Sequence, residues 1–262
     1  MDAVRKLNNA KGLYLDGIRD GKVRKAIQNY TGDRYTQHST GIADGADGFI
    51  AFFEPFIQKN PDRDIQVIRA FSDGRFVFLH VYQDLNNGAA KWVTADIFDT
   101  DDNDRIIEHW DVIQAFAERT PSGDSMIGGS TETTDHDKTE DNKALIRAFF
   151  DKVLIDGDSE HIAAYLSKAD FTDHTPQFNG EPGGLQSFAQ APTNPAESSC
   201  YRELHLLMGE GNFVATLSCL QHCEEDWARI DLFRLHQGAI VEHWAVQEKI
   251  LPKEQWGNSG KF

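Results

Sequence analysis

Two hydrophobic rhythms follow one another along this chain, and the pair occurs twice. Over residues 12–30, Leu13, Tyr14, Ile18, Val23 and Ile27 fall at mostly helical spacing, interrupted around Gly17 and Gly21. Residues 47–58 predict a second helix, with Phe49, Phe52, Phe53, Phe56 and Ile57 in a broad apolar stripe. Pro55 should kink that helix or end its regular part. Beyond Pro61 the period becomes two: Ile65 and Val67, then residues 76–82, 92–98 and 106–116. Asp73-Gly74, Asn87-Gly88 and the stretch 101–104 supply the turns. Helices followed by a four-strand meander predict an α+β domain.

The order then repeats. Helices are expected over 142–154, 161–166 and 184–190, and strands over 201–208, 213–221, 227–235 and 240–247, with irregular stretches at 176–184 and 191–199. Glu108-His109-Trp110 returns as Glu242-His243-Trp244, while Trp92, Asp96 and Phe98 answer to Trp227, Asp231 and Phe233. An offset of about 135 residues is a whole domain, not a solenoid unit. The chain therefore reads as a tandem duplication: residues 1–118, a linker over 119–140, and residues 141–262. Rich in Gly, Ser, Thr and acids, the linker offers little apolar surface to offset the entropy of ordering it, so it is expected to be flexible.

Composition narrows the function classes. A net charge of −16 argues against nucleic acid and anionic membranes as partners, because phosphate binding needs clustered Lys and Arg. No run approaches the ~20 apolar residues of a membrane span, and the first residues lack the basic-then-apolar order of a secretory signal, so a cytoplasmic protein is expected. Cys200, Cys219 and Cys223 suggest reduced packing thiols; Cys219 and Cys223 have no second pair with which to hold zinc.

The first half carries Tyr35-Thr-Gln-His38, Asp44-Gly45, the Phe49-to-Phe53 helix, Ala95-Asp-Ile-Phe98 and Arg105-Ile-Ile-Glu-His-Trp-Asp-Val112. The second keeps Phe171-Thr-Asp-His174, Asn179-Gly180, Asp231-Leu-Phe233 and Gly238-Ala-Ile-Val-Glu-His-Trp244. This ordering resembles the SnoaL-like branch of the NTF2-like superfamily, and in the first half the group described as aldol-condensation enzymes. The resemblance implies two cystatin-like cones related by a pseudo-twofold axis, each a bent sheet around a helix with a pocket at one end. It further implies cofactor-independent and metal-free proton transfer next to a carbonyl.

Alternation puts His109 and Asp111 on one face of the last strand of the first half, with Glu108 and Trp110 on the other. By the resemblance, the His109 face lines the pocket, Asp111 falls at the acid/base aspartate, Asp96 at an oxyanion-stabilising acid, and His38 near a general base. His80, Trp92, Tyr14, Tyr30 and Phe52 are candidate ligand contacts, joined by His174, Asp231 and His243 in the second half. Plainer readings stand beside these. A core histidine, a structural carboxylate bond and helix-spaced aromatic packing account for the same residues. Ala245 replaces the acid in the second copy, so that half either runs different chemistry or has become a structural partner.

The leading expectation is an isomerase or aldol-type cyclase acting on a small carbonyl compound. Its rival is a non-catalytic domain pair that binds a small apolar molecule or serves as a scaffold. A metal site from His38, His80 and His109 is the least supported, because no ligand spacing recommends it. Sheet-to-sheet pairing of the two halves, with possible further homodimerisation, is the partner expectation.

Overall fold

A computed structural model describes residues 2–178, 180–188 and 199–262. Asn179, the end of the 184–190 helix and nearly all of the irregular stretch 191–199 therefore lie outside the described residues. The chain divides into two compact units, Met1–Phe116 with Leu251–Phe262, and Ala117–Ile250. Among the described residues no helix is long and apolar enough to cross a membrane.

In the first unit, helix α1 (Ala3–Gly12) starts where Asp2 accepts a hydrogen bond from Val4 N–H at 3.0 Å. It runs into a π-helical turn, Leu13–Arg19, and the interruption expected around Gly21 separates this from α2 (Val23–Tyr30). Strand β1 (Thr31–Gln37) and helix α3 (Gly45–Lys59) follow. Helix α3 continues through Pro55; Pro55 and Ala51, four residues earlier, are both exposed, so water can take the carbonyl that the missing N–H leaves free. Then come β2 (Arg63–Asp73), β3 (Phe76–Leu85), β4 (Ala90–Thr100) and β5 (Ile106–Ala115). The meander β2 to β5 is antiparallel, and β1 joins β5 in parallel, giving the order β1-β5-β4-β3-β2. Strand β1 has no clean alternation in its sequence and was not expected as a strand.

The second unit repeats the plan. Helix α4 (Thr139–Phe149) runs into a π-helical turn, Phe150–Ile155. Next are α5 (Ile162–Tyr165), β6 (Thr172–Asp173), α6 (Leu185–Phe188), β7 (Ser199–Glu210), β8 (Phe213–His222), β9 (Glu225–His236) and β10 (Ala239–Lys249). The sheet order β6-β10-β9-β8-β7 is the same, with β6 parallel to β10. Each unit is thus an α+β cone whose bent sheet buries its own apolar cluster against its helices. Leu13, Ile27, Phe49 and Phe98 lie in one cluster, and Ile146, Phe150, Tyr201 and Phe233 in the other. Each such side chain contributes roughly 1.5–3 kcal/mol through burial.

The acidic segment expected to be a flexible linker is instead built into the second unit. Trp244 Nε1 donates to Gly128 O at 3.0 Å, Ser130 N–H donates to Glu242 Oε1 at 3.2 Å, and Met126 is buried. Composition misled because polar anchoring, not apolar burial, supplies most of these contacts. Gly129 is indispensable to the fit: its φ is +84°, and a Cβ there would lie 2.2 Å from Glu242 Oε1.

Candidate functional site

Register on the β4–β5 ladder sets the site. Asp96 pairs with Asp111 and Phe98 with His109, so alternation turns Asp96, His109 and Asp111 to the same side of the sheet. His109 and Asp111 meet the helices at a cavity of about 30 Å³, lined among others by Tyr14, Tyr35, Phe49 and Phe98; Asp96 itself is not part of its lining. That is room for a single water, not for an organic substrate.

One chain of hydrogen bonds orders these groups. His109 Nε2 lies 2.8 Å from Asp96 Oδ1 and its Nδ1 lies 3.2 Å from Tyr35 Oη, while the ring stacks on Phe98 with centroids 4.3 Å apart. Tyr14 Oη donates to Asp96 Oδ1 at 2.7 Å and sits 3.0 Å from Thr94 Oγ1. Burial, then the Asp96 and Asp111 charges, push the Tyr14 phenol well above its ordinary range, and the same influences act on Tyr35. Both hydroxyls are therefore neutral. A neutral Tyr35 can donate to His109 Nδ1, and His109 Nε2–H then donates to Asp96, an assignment that satisfies every ring nitrogen.

Asp96 is fully buried, and its Oδ2 has no hydrogen-bond partner among the described residues. Burial raises its pKa above the ordinary carboxylate value, although the His109 hydrogen bond opposes the rise. Asp111 is mostly buried and has Lys261 beside it, with Nζ 3.5 Å from its Oδ1. Asp96, His109 and Asp111 each offer a possible ligand atom within 4.8 Å of one another. His109 is, however, committed to Asp96, and Lys261 already places a positive charge at Asp111.

Other candidates lie elsewhere. His38 is on the opposite face from His109: its Nε2 is 2.9 Å from Glu108 Oε1, its Nδ1 2.7 Å from Gly260 O, and its ring stacks on Trp110. The register of β1 on β5 shifts between Thr31 and Thr36, so that Tyr35 and Gln37, not His38, reach the cavity. His80 pairs with Ala95, out of phase with Asp96, and its Nδ1 is 3.0 Å from Arg69 Nη1. Neither histidine can join His109 around a metal. Phe52 is 42 % exposed, and its neighbours Phe49 and Phe53 line the cavity instead. Tyr30 spends its hydroxyl on Asp16 and packs its ring under Gly12, and Trp92 lies towards the end of β4, outside the lining. Of the expected ligand contacts in this unit, Tyr14 alone borders the cavity.

The second unit holds a different network. His243 Nε2 meets Asp231 Oδ1 at 2.9 Å and its Nδ1 meets Asp173 Oδ1 at 3.0 Å, so the imidazole bridges two carboxylates. Burial disfavours the imidazolium, yet Asp173 and Asp231 outweigh it and raise its pKa. Arg229, fully buried, donates to Asp231 Oδ1 and to Gln247 Oε1, both at 2.7 Å, and Tyr201 Oη donates to Asp231 Oδ2 at 3.0 Å. His174 repeats His38: its Nε2 faces Glu242, its Nδ1 is 3.1 Å from Ser125 O, and its ring stacks on Trp244. Arg229 and Lys261 were not singled out from sequence. The phase that Arg229 shares with Asp231 on one strand was a readable signal; nothing local marks Lys261.

Residues 13–109, most of the first unit, match the family described as SnoaL-like domain. No curated protein matches the chain. Solved structures similar to it include a candidate ketosteroid isomerase from Kribbella flavida DSM 17836 (20 % identity, 44 % of this chain and 83 % of that one, TM-score 0.35). A candidate polyketide cyclase from Bacillus cereus ATCC 10987 (17 %, 42 % and 74 %, TM-score 0.38) is another. A third is a candidate SnoaL-like polyketide cyclase from Jannaschia sp. CCS1 (16 %, 43 % and 87 %, TM-score 0.37).

Proposed function

We propose that the first unit is a cofactor-independent proton-transfer enzyme acting on a small carbonyl compound, by isomerisation or aldol-type cyclisation. The observation that carries this reading is the fully buried Asp96, which keeps one oxygen unpartnered directly across the ladder from Asp111. An uncompensated buried carboxyl is costly. A carboxyl that burial keeps protonated becomes a hydrogen-bond donor suited to a developing oxyanion. Asp111, as carboxylate, takes the proton next to the carbonyl; the C–H electron pair forms the enolate, whose oxygen accepts a hydrogen bond from Asp96. Return of the proton to another carbon completes an isomerisation; attack of the enolate carbon on a second carbonyl, with the proton passing from Asp111 to the alkoxide so formed, completes an aldol-type cyclisation. His109 and Tyr14 hold Asp96 in place. Because the closed cavity has the size of a water, its wall at Phe53 and Ile42 must give way to admit a substrate.

The second unit supports a structural reading. Ala245 stands where the acid would be, and Arg229 commits its Nε to Asp231 and its Nη1 to Gln247 and Gly183. We further propose that the units descend from one duplicated domain, on the strength of their common strand order. Superposed sheets that fail to bring Asp96 onto Asp231 and His109 onto His243 would overturn that descent.

The test needs no natural substrate. 5-Nitrobenzisoxazole opens to a coloured cyanonitrophenolate when a base removes its ring C–H proton, which makes it a direct probe of a carboxylate base. Asp111→Asn is expected to lower its turnover by about 10²-fold, the low end for loss of a general base. Equal rates for the variant and the wild type would remove Asp111 from the chemistry.

A further inference from the structure

The segment Leu251–Phe262 is strapped across the first unit. Gly257 N–H donates to Thr40 O at 2.8 Å, and Asn258 Nδ2 donates to Ser39 O at 2.7 Å and to Ile42 O at 2.8 Å. Gly260 O then meets His38 Nδ1. At Gly260 φ is +115°, and a Cβ would lie 2.4 Å from the Trp256 ring, so glycine alone permits the turn. That turn buries Lys261, 2 % exposed, whose Nζ donates to Asp111 O at 2.6 Å and lies 3.5 Å from Asp111 Oδ1. The position is open because the β1 pairing ends with Gln37 opposite His109, two residues short of Asp111.

A buried ammonium costs free energy unless a charge compensates it. Capping one strand carbonyl does not require one. The second unit provides an internal comparison. There the segment after Ala117 is received in the same way, with His174 Nδ1 on Ser125 O and Trp244 stacked on His174 at 4.8 Å, against 4.7 Å for Trp110 on His38. The residue after Ser125 is Met126, also 2 % exposed, and it occupies the place of Lys261 at the repeat offset of about 135. Ala245 occupies the place of Asp111. The strap therefore closes either way; lysine is found with the acid and methionine with alanine.

We propose that Lys261 is the positioning residue of Asp111, brought by the strap to complete the first unit's site, and that the second unit lacks this charge pair as a whole. This rests on the reading of Asp111 as the acid/base group. Lys261 does not touch the reacting atoms. Its ammonium, anchored on the carbonyl of the same residue, directs the carboxylate at the cavity.

Two measurements on the full chain decide it. With 5-nitrobenzisoxazole as probe, Lys261→Met is expected to lower kcat about tenfold while leaving KM within about twofold, since a misdirected base costs the proton-transfer step and not binding. Lys261→Arg restores the wild-type kcat. A loss confined to KM, or no loss at all, overturns the proposal. In urea unfolding, Lys261→Met is expected to shift the folding equilibrium about tenfold towards the unfolded state with Asp111 present, and towards the folded state in Asp111→Ala, where it removes an uncompensated buried charge and the double variant copies Met126 and Ala245. An equal shift in both backgrounds overturns the pairing. Because this second measurement needs no turnover, it stands even where Asp111 proves inactive as a base.

Discussion

Asp96 concentrates the energetics of the first unit's site in one side chain. With no exposure at all, it depends on two donors to Oδ1, Tyr14 at 2.7 Å and His109 at 2.8 Å. Tyr14→Phe keeps the ring and removes one of them. The variant is expected to lose about 0.5–1.5 kcal/mol of stability, the net worth of one hydrogen bond while His109 still donates to Oδ1, read as a lower urea midpoint at unchanged slope. An unchanged midpoint would mean that water replaces the phenol and that the cavity is wetter than its lining suggests. At this scale alternation made Asp96, His109 and Asp111 legible in the sequence, because strands β4 and β5 pair without a slip between Asp99 and Trp92. It could not make Tyr35 legible. That residue reaches His109 from a strand whose register shifts and whose sequence, Thr31 to Gln37, carries no clear alternation.

The pairing of each outer-face histidine with a glutamate belongs to the scale of elements. His38 and Glu108 bind neighbouring strands β1 and β5, and His174 and Glu242 bind β6 to β10. The repeated histidines were read as pocket residues because a repeated polar residue carries no label of face. What repeats here is a clamp on the backbone of an incoming segment, Gly260 in one unit and Ser125 in the other. For Glu242, burial pushes the pKa up, but the His174 hydrogen bond and the Arg234 ion pair outweigh it and bring it down to about 2. A carboxyl depressed in the folded state contributes stability above its unfolded pKa of about 4.3, and loses it as pH falls towards about 2. The wild type is therefore expected to lose thermal stability over that window more steeply than Glu242→Gln. Parallel melting profiles for the two proteins would show that the clamp does not depend on the glutamate's charge.

Across the whole molecule, two cones of the same strand order contain opposite interiors, one with a small cavity beside an acid, the other with an arginine committed to internal acceptors. The cones themselves were legible, since their helices and hairpins are local patterns. Lys261 was not, because it lies 150 residues from Asp111 and nothing near either residue anticipates the meeting. The contents of the second cone follow from Arg229, which shares a face of β9 with Asp231 and pairs with it. Arg229→Met fills a similar volume but leaves Asp231 facing His243 and Tyr201 without its guanidinium. Breaking a buried ion pair from one side typically costs ~3–5 kcal/mol, so a marked fall in the unfolding midpoint is expected. Turnover of 5-nitrobenzisoxazole below that midpoint should be unchanged, since Arg229 contacts none of the first unit's site. A loss of turnover in the still-folded variant would place chemistry in the second cone and end the division of labour argued from Ala245.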